Sequence, residues 1–113
     1  MTDLPPMDKY LLRGAASTLI LKILNERPTY GYQLAQEIRD RSHRLLEFEE
    51  ATIYPLLYAL EADGFLKASW GPGTGERRRK TYRLTAAGKK ELERRLAAWE
   101  RYELGMRMAL RGA

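Results

Sequence analysis

The sequence has 113 residues, of which 44% are hydrophobic and 31% charged, a composition that fits one globular domain and excludes a disordered chain. Its 20 Lys and Arg outnumber its 15 Asp and Glu, and the net charge of +5 favours a nucleic acid or an anionic surface as partner. The absence of cysteine excludes disulfides, thiolate nucleophiles and cysteine-bound metals.

Two amphipathic helices are predicted in the first third of the chain. Apolar residues recur at helical spacing over Met7–Asn25, and Pro28 follows at the place where a helix has ended. A second apolar stripe predicts a helix from about Tyr30 to Ser42. Gly31, near its start, allows another backbone or a side chain to approach closely.

A third helix is predicted from about Glu50 to Asp63, ended by Gly64. Its buried stripe has the spacing i, i+3, i+4 and i+7 and consists of Ile53, Leu56, Leu57 and Leu60. The outer side carries Thr52, Tyr54 and Tyr58. This helix therefore offers polar and aromatic side chains to a partner while its apolar stripe enters the core.

A β-hairpin is predicted next, because strand-like FLKASW and alternating RRRKTYRL flank the glycine-rich GPGTGE. Four consecutive cations stand at its tip: Arg77, Arg78, Arg79 and Lys80. These charges repel one another, so an anion outside the protein is the simplest reason for the cluster. Guanidinium groups bind phosphate oxygens in a forked geometry, which predicts contact with DNA phosphates, aided by Arg83. The alternative is a solvated charged loop.

A long final helix is predicted after Thr85, which has the side chain of an N-cap. Its seam residues are spaced 4, 3, 4, 3 and 4 apart: Leu92, Leu96, Trp99, Glu103, Met106 and Leu110. This is a heptad pattern with one acidic exception. Because the helix follows a complete domain, the seam is expected to pair with a second copy.

The order of elements describes a mainly α fold with a small β-hairpin (α+β), a winged helix-turn-helix over residues 7–85 with a C-terminal dimerisation helix over residues 86–113. The third helix is then the recognition candidate, so Thr52, Tyr54 and Tyr58 are expected to contact DNA. Tyr32 and Gln36, on the second helix, are expected to reach a neighbouring phosphate. The alternative is that these tyrosines pack into the core or against the wing.

Four separated motifs, TYGYQLAQEI, ATIYPLLYALEADGFL, RRRKTYRLTAAG and Trp99, together resemble the PadR family of bacterial transcriptional regulators. The resemblance covers about Leu11 to Trp99 and implies a homodimeric repressor that binds a palindromic DNA site. Ala51 replaces the glycine of many members, as it does in the compact, multidrug-responsive subgroup. In that subgroup the terminal helices pair across a twofold axis, and a tryptophan at the position of Trp99 lines a flat pore for aromatic ligands.

The seam admits two interpretations. In the first, two Trp99 rings flank a pocket for a small aromatic or cationic effector, with the following residues around it: Leu96, Glu103, Ala15 and Ala16. In the second, Trp99 only packs the dimer and Arg107 pairs with Glu103. Both remain open at this point.

Other function classes find little support. No nucleophile–base pair indicates an enzyme, and His43 has only glutamates within sequence range, so neither a metal nor a cofactor is expected. GPGTGE lacks the lysine ending of a phosphate-binding loop and precedes a strand. No apolar run has the roughly 18 residues of a membrane span, so a cytoplasmic protein is expected. The remaining alternative is a winged-helix protein–protein module that does not bind DNA.

Overall fold

The computed structural model describes residues 9–71 and 79–112, with side chains from residue 14 onward. The elements are α1 (Lys9–Glu26), β1 (Thr29–Tyr30), α2 (Gly31–Arg41), α3 (Glu50–Ala62), β2 (Leu66–Trp70), β3 (Lys80–Leu84) and α4 (Ala86–Arg111). Four helices around a small antiparallel sheet confirm the predicted α+β winged helix-turn-helix. The predicted bounds of the helices and of β2 agree with these to within two residues, whereas β3 begins at Lys80 and the predicted strand began at Arg77.

The sheet has three strands in the order β1-β3-β2, one more than predicted. β2 and β3 pair antiparallel from Leu66↔Leu84 to Trp70↔Lys80, and the predicted turn between them lies mostly in residues 72–78, outside the described residues. β1 adds two residues to the other edge of β3, where Thr29 faces Tyr82. A two-residue strand has no periodicity of its own, and it forms because β3 offers a free edge.

The core draws side chains from all four helices and from the hairpin. Its buried members include Ile20, Leu21, Leu34, Ile38, Ile53, Leu57, Leu60, Leu66, Tyr82 and Leu92. Apolar stripes on α2 and α3 face α1, and the inward residues of the sheet close the remaining side. This single core holds α2, α3 and the hairpin in one arrangement, which is what positions the candidate site.

α4 begins inside this core and ends outside it. Thr85 caps it, since its Oγ1 accepts a hydrogen bond from the Gly88 N–H at 3.0 Å and donates to the Gly64 carbonyl at 2.7 Å. Leu92 is buried, whereas every residue from 97 to 112 is exposed. The last four turns of α4 therefore find no cover within the described chain.

Candidate nucleic-acid interface

The turn between α2 and α3 is held by Ser42. Its hydroxyl donates to the Ile38 carbonyl at 2.8 Å and accepts from the Leu46 N–H at 3.0 Å, which closes the loop onto the end of α2. His43 and Arg44 next adopt left-handed backbone angles, with φ of 52° and 66°. These bonds set the direction from which α3 approaches α2.

Tyr54 and Gly31 bring α3 against the start of α2. A Cβ atom added to Gly31 would stand 2.7 Å from Cε1 of Tyr54, so any larger residue there would force the Tyr54 ring to move. Tyr54 is consequently half-buried. Burial, followed by the charge of Glu50, raises the pKa of Tyr54 above its usual value, so the phenol is neutral. Part of this predicted DNA-contact residue is thus engaged in packing.

Thr52 and Tyr58 are the more accessible residues of α3. Thr52 is exposed, and Tyr58 is 54% exposed with its ring centroid 6.4 Å from that of Tyr54. Four residues separate the two tyrosines, so both lie on one side of the helix. α3 therefore presents a hydroxyl and an aromatic ring to a partner.

Tyr32 and Gln36 form a hydrogen-bonded pair one turn apart on α2. The Gln36 side-chain N–H donates to the Tyr32 hydroxyl at 2.9 Å, and Tyr32 is 49% exposed. Both residues line an open groove of about 430 Å³ between α2 and the segment that leads into α3. The predicted second-helix contacts thus lie together beside the start of α3.

Three carboxylates on the opposite wall of that groove were not anticipated as part of this surface. They belong to Glu47, Glu49 and Glu50, at the start of α3. Carboxylates repel phosphate but accept hydrogen bonds from the amino groups of bases. The acidic sequence EFEE is the local signal for this wall of the groove.

The described part of the wing brings Arg79 to Tyr30. The Arg79 guanidinium carbon lies 4.8 Å from the centre of the Tyr30 ring, and its Nη1 donates to the Tyr30 hydroxyl at 3.0 Å. Arg77 and Arg78 lie outside the described residues. Sequence reasoning did not single out Tyr30, because its partner lies 49 positions further along the chain.

Lys80 turns to α3. Its Nζ lies 3.5 Å from Oε1 of Glu61 and 5.2 Å from the ring centres of Tyr58 and Tyr82. The base of the wing and the exposed side of the recognition candidate are therefore neighbours. This is the arrangement that a continuous binding surface requires.

The predicted effector residues fall into two groups. Ala16 is buried and Leu96 packs against the core, with Ala15 half-buried. Trp99 is 52% exposed, and its ring centroid lies 5.9 Å from that of Tyr102.

Glu103 has a partner in its own helix. Its Oε1 accepts from Arg107 at 2.6 Å, which is the pairing considered from the sequence. The carboxylate is therefore already neutralised in the single chain.

A second ionic network joins α4 to α1. Arg94 and Arg95 both donate to Glu91 at 2.6 Å, and Arg95 also donates to the Ser17 hydroxyl at 2.6 Å. The hydrogen bonds from Arg94 and then Arg95 hold the pKa of Glu91 at about 2. This network sets how α4 leaves the domain.

Within residues 9–71 and 79–112, no group of three or more metal-binding side chains occurs. None of the described helices is both long enough and apolar enough to span a membrane.

Residues 20–94 match the family model described as the transcriptional regulator PadR-like family. An uncharacterized protein of Lysinibacillus sphaericus is 33% identical over 89 residues, which are 79% of this chain and 82% of that protein. A transcriptional regulator from Clostridium thermocellum superposes with a TM-score of 0.81 at 31% identity, over 89% of this chain and 95% of the other. A PadR family regulator from Eggerthella lenta gives 0.78 at 36% identity, over 89% and 86%.

Proposed function

The chain belongs to the PadR-like family of transcriptional regulators, and we propose that it binds a palindromic DNA site as a homodimer and represses transcription. Membership of this family supports regulation by DNA binding. The homodimer, the repressor role and the response to an effector are proposed in addition. The proposed setting is the cytoplasm, where the DNA of a bacterial cell lies.

One observation carries the DNA-binding part of the proposal: Lys80, at the base of the wing, lies 5.2 Å from the exposed ring of Tyr58 on α3. The recognition candidate and the wing thus border the same surface. A helix in the major groove and a wing along the adjacent backbone need this proximity. The exposed residues Thr52, Tyr58 and Arg79 are proposed to contact DNA, together with Tyr32 and Gln36 on α2.

The wing arginines are proposed to supply the main phosphate contacts. Replacing Arg77, Arg78 and Arg79 by alanine is expected to lower DNA affinity and to reduce the salt slope by about 0.9 for each phosphate that the wing no longer neutralises. The measurement is fluorescence anisotropy of duplexes selected from genomic DNA, repeated at several salt concentrations.

A matched control distinguishes an effect of the wing position from an effect of the total charge of the protein. Alanine at Lys22, Lys89 and Lys90 removes the same number of charges from exposed positions on α1 and at the start of α4. This triple variant is expected to bind nearly as well as the wild type. Equal losses in the two triples would indicate an effect of total charge. No loss in the wing triple would argue against phosphate contacts by the wing.

The final turns of α4 are proposed to form the dimer contact. Exposed apolar side chains on the seam of these turns are Trp99, Met106 and Leu110. An uncovered apolar surface of this kind on one helix is typical of a protein interface. Pairing about a twofold axis would duplicate the DNA surface and account for a palindromic site.

A small aromatic or cationic effector is proposed to relieve repression by binding between the two Trp99 rings. The exposed ring of Trp99 and its neighbour Tyr102 would offer flat apolar walls. The Glu103–Arg107 pair lowers the net negative charge of such a pocket, which favours a flat aromatic ring over a strongly cationic one. The effector would act by binding one spacing of the two DNA-binding heads more tightly than the other.

A further inference from the structure

We propose that Lys80 is a positioning residue of the DNA interface, which fixes the wing to α3 and orients Tyr58 without binding phosphate itself. This inference rests on the proposed DNA binding and changes the role expected for one of the four wing cations. Its basis is the set of partners that Lys80 already has in the free protein.

The ammonium group of Lys80 is enclosed by groups of α3 and β3. Oε1 of Glu61 lies 3.5 Å from Nζ, and the ring centres of Tyr58 and Tyr82 lie 5.2 Å from it. The lysine side chain is 29% exposed. A cation with a carboxylate and two aromatic rings beside it has its charge compensated within the protein.

Neighbouring cations of the wing have different surroundings because side chains alternate along a strand. Lys80 and Tyr82 are two residues apart, share one face of β3 and meet α3. Arg79, one residue earlier, lies instead over the ring of Tyr30. Thus Arg79 is 4.8 Å from an aromatic ring of the β1 edge, while Lys80 contacts the recognition helix.

Glu61 and Tyr58 are three residues apart on α3, so Lys80 contacts two successive positions of one helical side. Tyr82 is fully buried. Burial raises the pKa of Tyr82, so its phenol is neutral and cannot serve as a counter-ion. Glu61 is therefore the described carboxylate that holds Lys80.

The substitution Glu61→Gln distinguishes positioning from phosphate binding by the sign of its effect. If Lys80 binds phosphate, removing Glu61 frees the lysine and removes a repulsive charge, so DNA affinity rises. If Lys80 positions α3, the same substitution loosens Tyr58 and the wing, so affinity falls. We expect a fall of about threefold to tenfold, the size of one weakly exposed charge contact.

The salt dependence of Lys80 variants gives a second measurement. Lys80→Met is expected to weaken binding about tenfold with an unchanged salt slope. Lys80→Arg, whose guanidinium can still pair with Glu61 and cover the rings, is expected to restore most of the affinity. If Lys80→Met instead lowers the salt slope by about 0.9, the value for one lost phosphate contact, the proposal is overturned. Arg79→Gln is the matched control and is expected to lower the slope.

The probe for these measurements is a labelled duplex recovered from genomic DNA by selection with the wild-type protein. A double-substitution cycle of Lys80→Met and Glu61→Gln in urea unfolding tests the contact without DNA. Non-additive effects support it, and additive effects overturn it. If the wild type recovers no DNA at any salt concentration, the proposed function fails, while the unfolding cycle still decides whether Lys80 joins the wing to α3.

Discussion

At the scale of single residues, Gly88 controls how α4 joins the domain. A Cβ atom there would lie 2.2 Å from the Phe65 carbonyl oxygen and 2.6 Å from Cδ1 of Leu84. This carbonyl accepts a hydrogen bond from the Thr85 N–H at 3.0 Å, so moving it aside would break that bond. The first turn of α4 therefore depends on a missing side chain.

We predict that Gly88→Ala lowers the free energy of unfolding by about 3 kcal/mol, because overpacking against backbone cannot relax. Urea unfolding followed by circular dichroism measures it. Gly14→Ala is the control, since nothing lies within 4 Å of the added Cβ at that helical site. Alanine there is expected to stabilise by about 0.5–1 kcal/mol. Equal effects at the two glycines would contradict the close contact.

Glu91 makes the stability of the folded protein depend on pH. Its pKa is about 2 in the folded protein, against an ordinary 4.5, because Arg94 and Arg95 stabilise the carboxylate. A folded pKa below the unfolded one contributes stability that is complete above pH 4.5 and is lost as the pH falls towards 2. The hydrogen bond from Arg41, which lowers the pKa of Glu26, acts in the same direction.

We predict that Glu91→Gln destabilises the protein at pH 7 and that its difference from the wild type shrinks between pH 4.5 and about 2. Urea midpoints across this range measure the difference. Glu93→Gln is the control, because Glu93 is exposed and has no ion pair within the described residues. A difference that stays constant with pH would show that Glu91 acts through packing rather than charge.

At the scale of elements, the two halves of α4 have different surroundings. Its first half contributes Leu92 and Leu96 to the core, and its second half is exposed on all sides. The heptad seam, Trp99, Glu103 and Met106 among its members, runs along only one stripe of the exposed half. Other exposed apolar residues, such as Met108, lie off the seam and provide a comparison.

We predict that Met106→Lys weakens the proposed homodimer at least tenfold, since a charge at a seam position would be buried without a partner. Met108→Lys, a matched change on the same helix, is expected to leave the dimer nearly unchanged. Sedimentation equilibrium of the full chain measures both. Equal weakening by the two variants would move the contact away from the proposed seam.

At the scale of the whole molecule, the network of Glu91, Arg95 and Ser17 joins α4 to α1. Arg95 bonds from α4 to the Ser17 hydroxyl on α1 at 2.6 Å, so the direction of α4 is tied to the core of the DNA-binding domain. A change in the pairing of two α4 helices would therefore alter the spacing of the two heads. This connection is the route by which an effector near Trp99 would influence DNA binding.

We predict that a planar aromatic dye quenches the fluorescence of Trp99 and lowers DNA affinity by a certain factor. Linkage requires DNA to lower dye affinity by the same factor. Trp99→Ala is expected to abolish quenching by the bound dye, while Trp70, the other tryptophan, reports unspecific effects. Dye binding that leaves DNA affinity unchanged would separate the pocket from regulation.

Much of the fold was predictable because its signals are local. The apolar stripe of α3, with Ile53 and Leu57 buried as expected, repeats within two turns of helix. The cap at Thr85 needs only the N–H of Gly88, three residues on. Alternation places Tyr82 inside and Arg83 outside the sheet. Such patterns depend on neighbours within a few residues, so they are visible without knowledge of the rest of the chain.

The candidate site was predictable in composition but not in pairing. That Arg79 and Lys80 belong to a cationic wing follows from their order in the sequence. That Arg79 lies over Tyr30 and Lys80 beside Glu61 and Tyr58 does not follow, because Tyr30 is 49 positions from Arg79 and Glu61 is 19 positions from Lys80. β1 was not predicted because its two residues form a strand only by pairing with β3, which is distant in the sequence.

By itself, then, the sequence determined the order and type of the main elements, the cationic character of the wing and membership of a regulator family. Only the tertiary structure decided that Lys80 faces α3, that Tyr54 is half-buried against Gly31 and that Ser17 binds Arg95 across 78 positions. The physical reason is range. Periodicity and capping act over a few residues, whereas side-chain pairing depends on how distant segments close around one core.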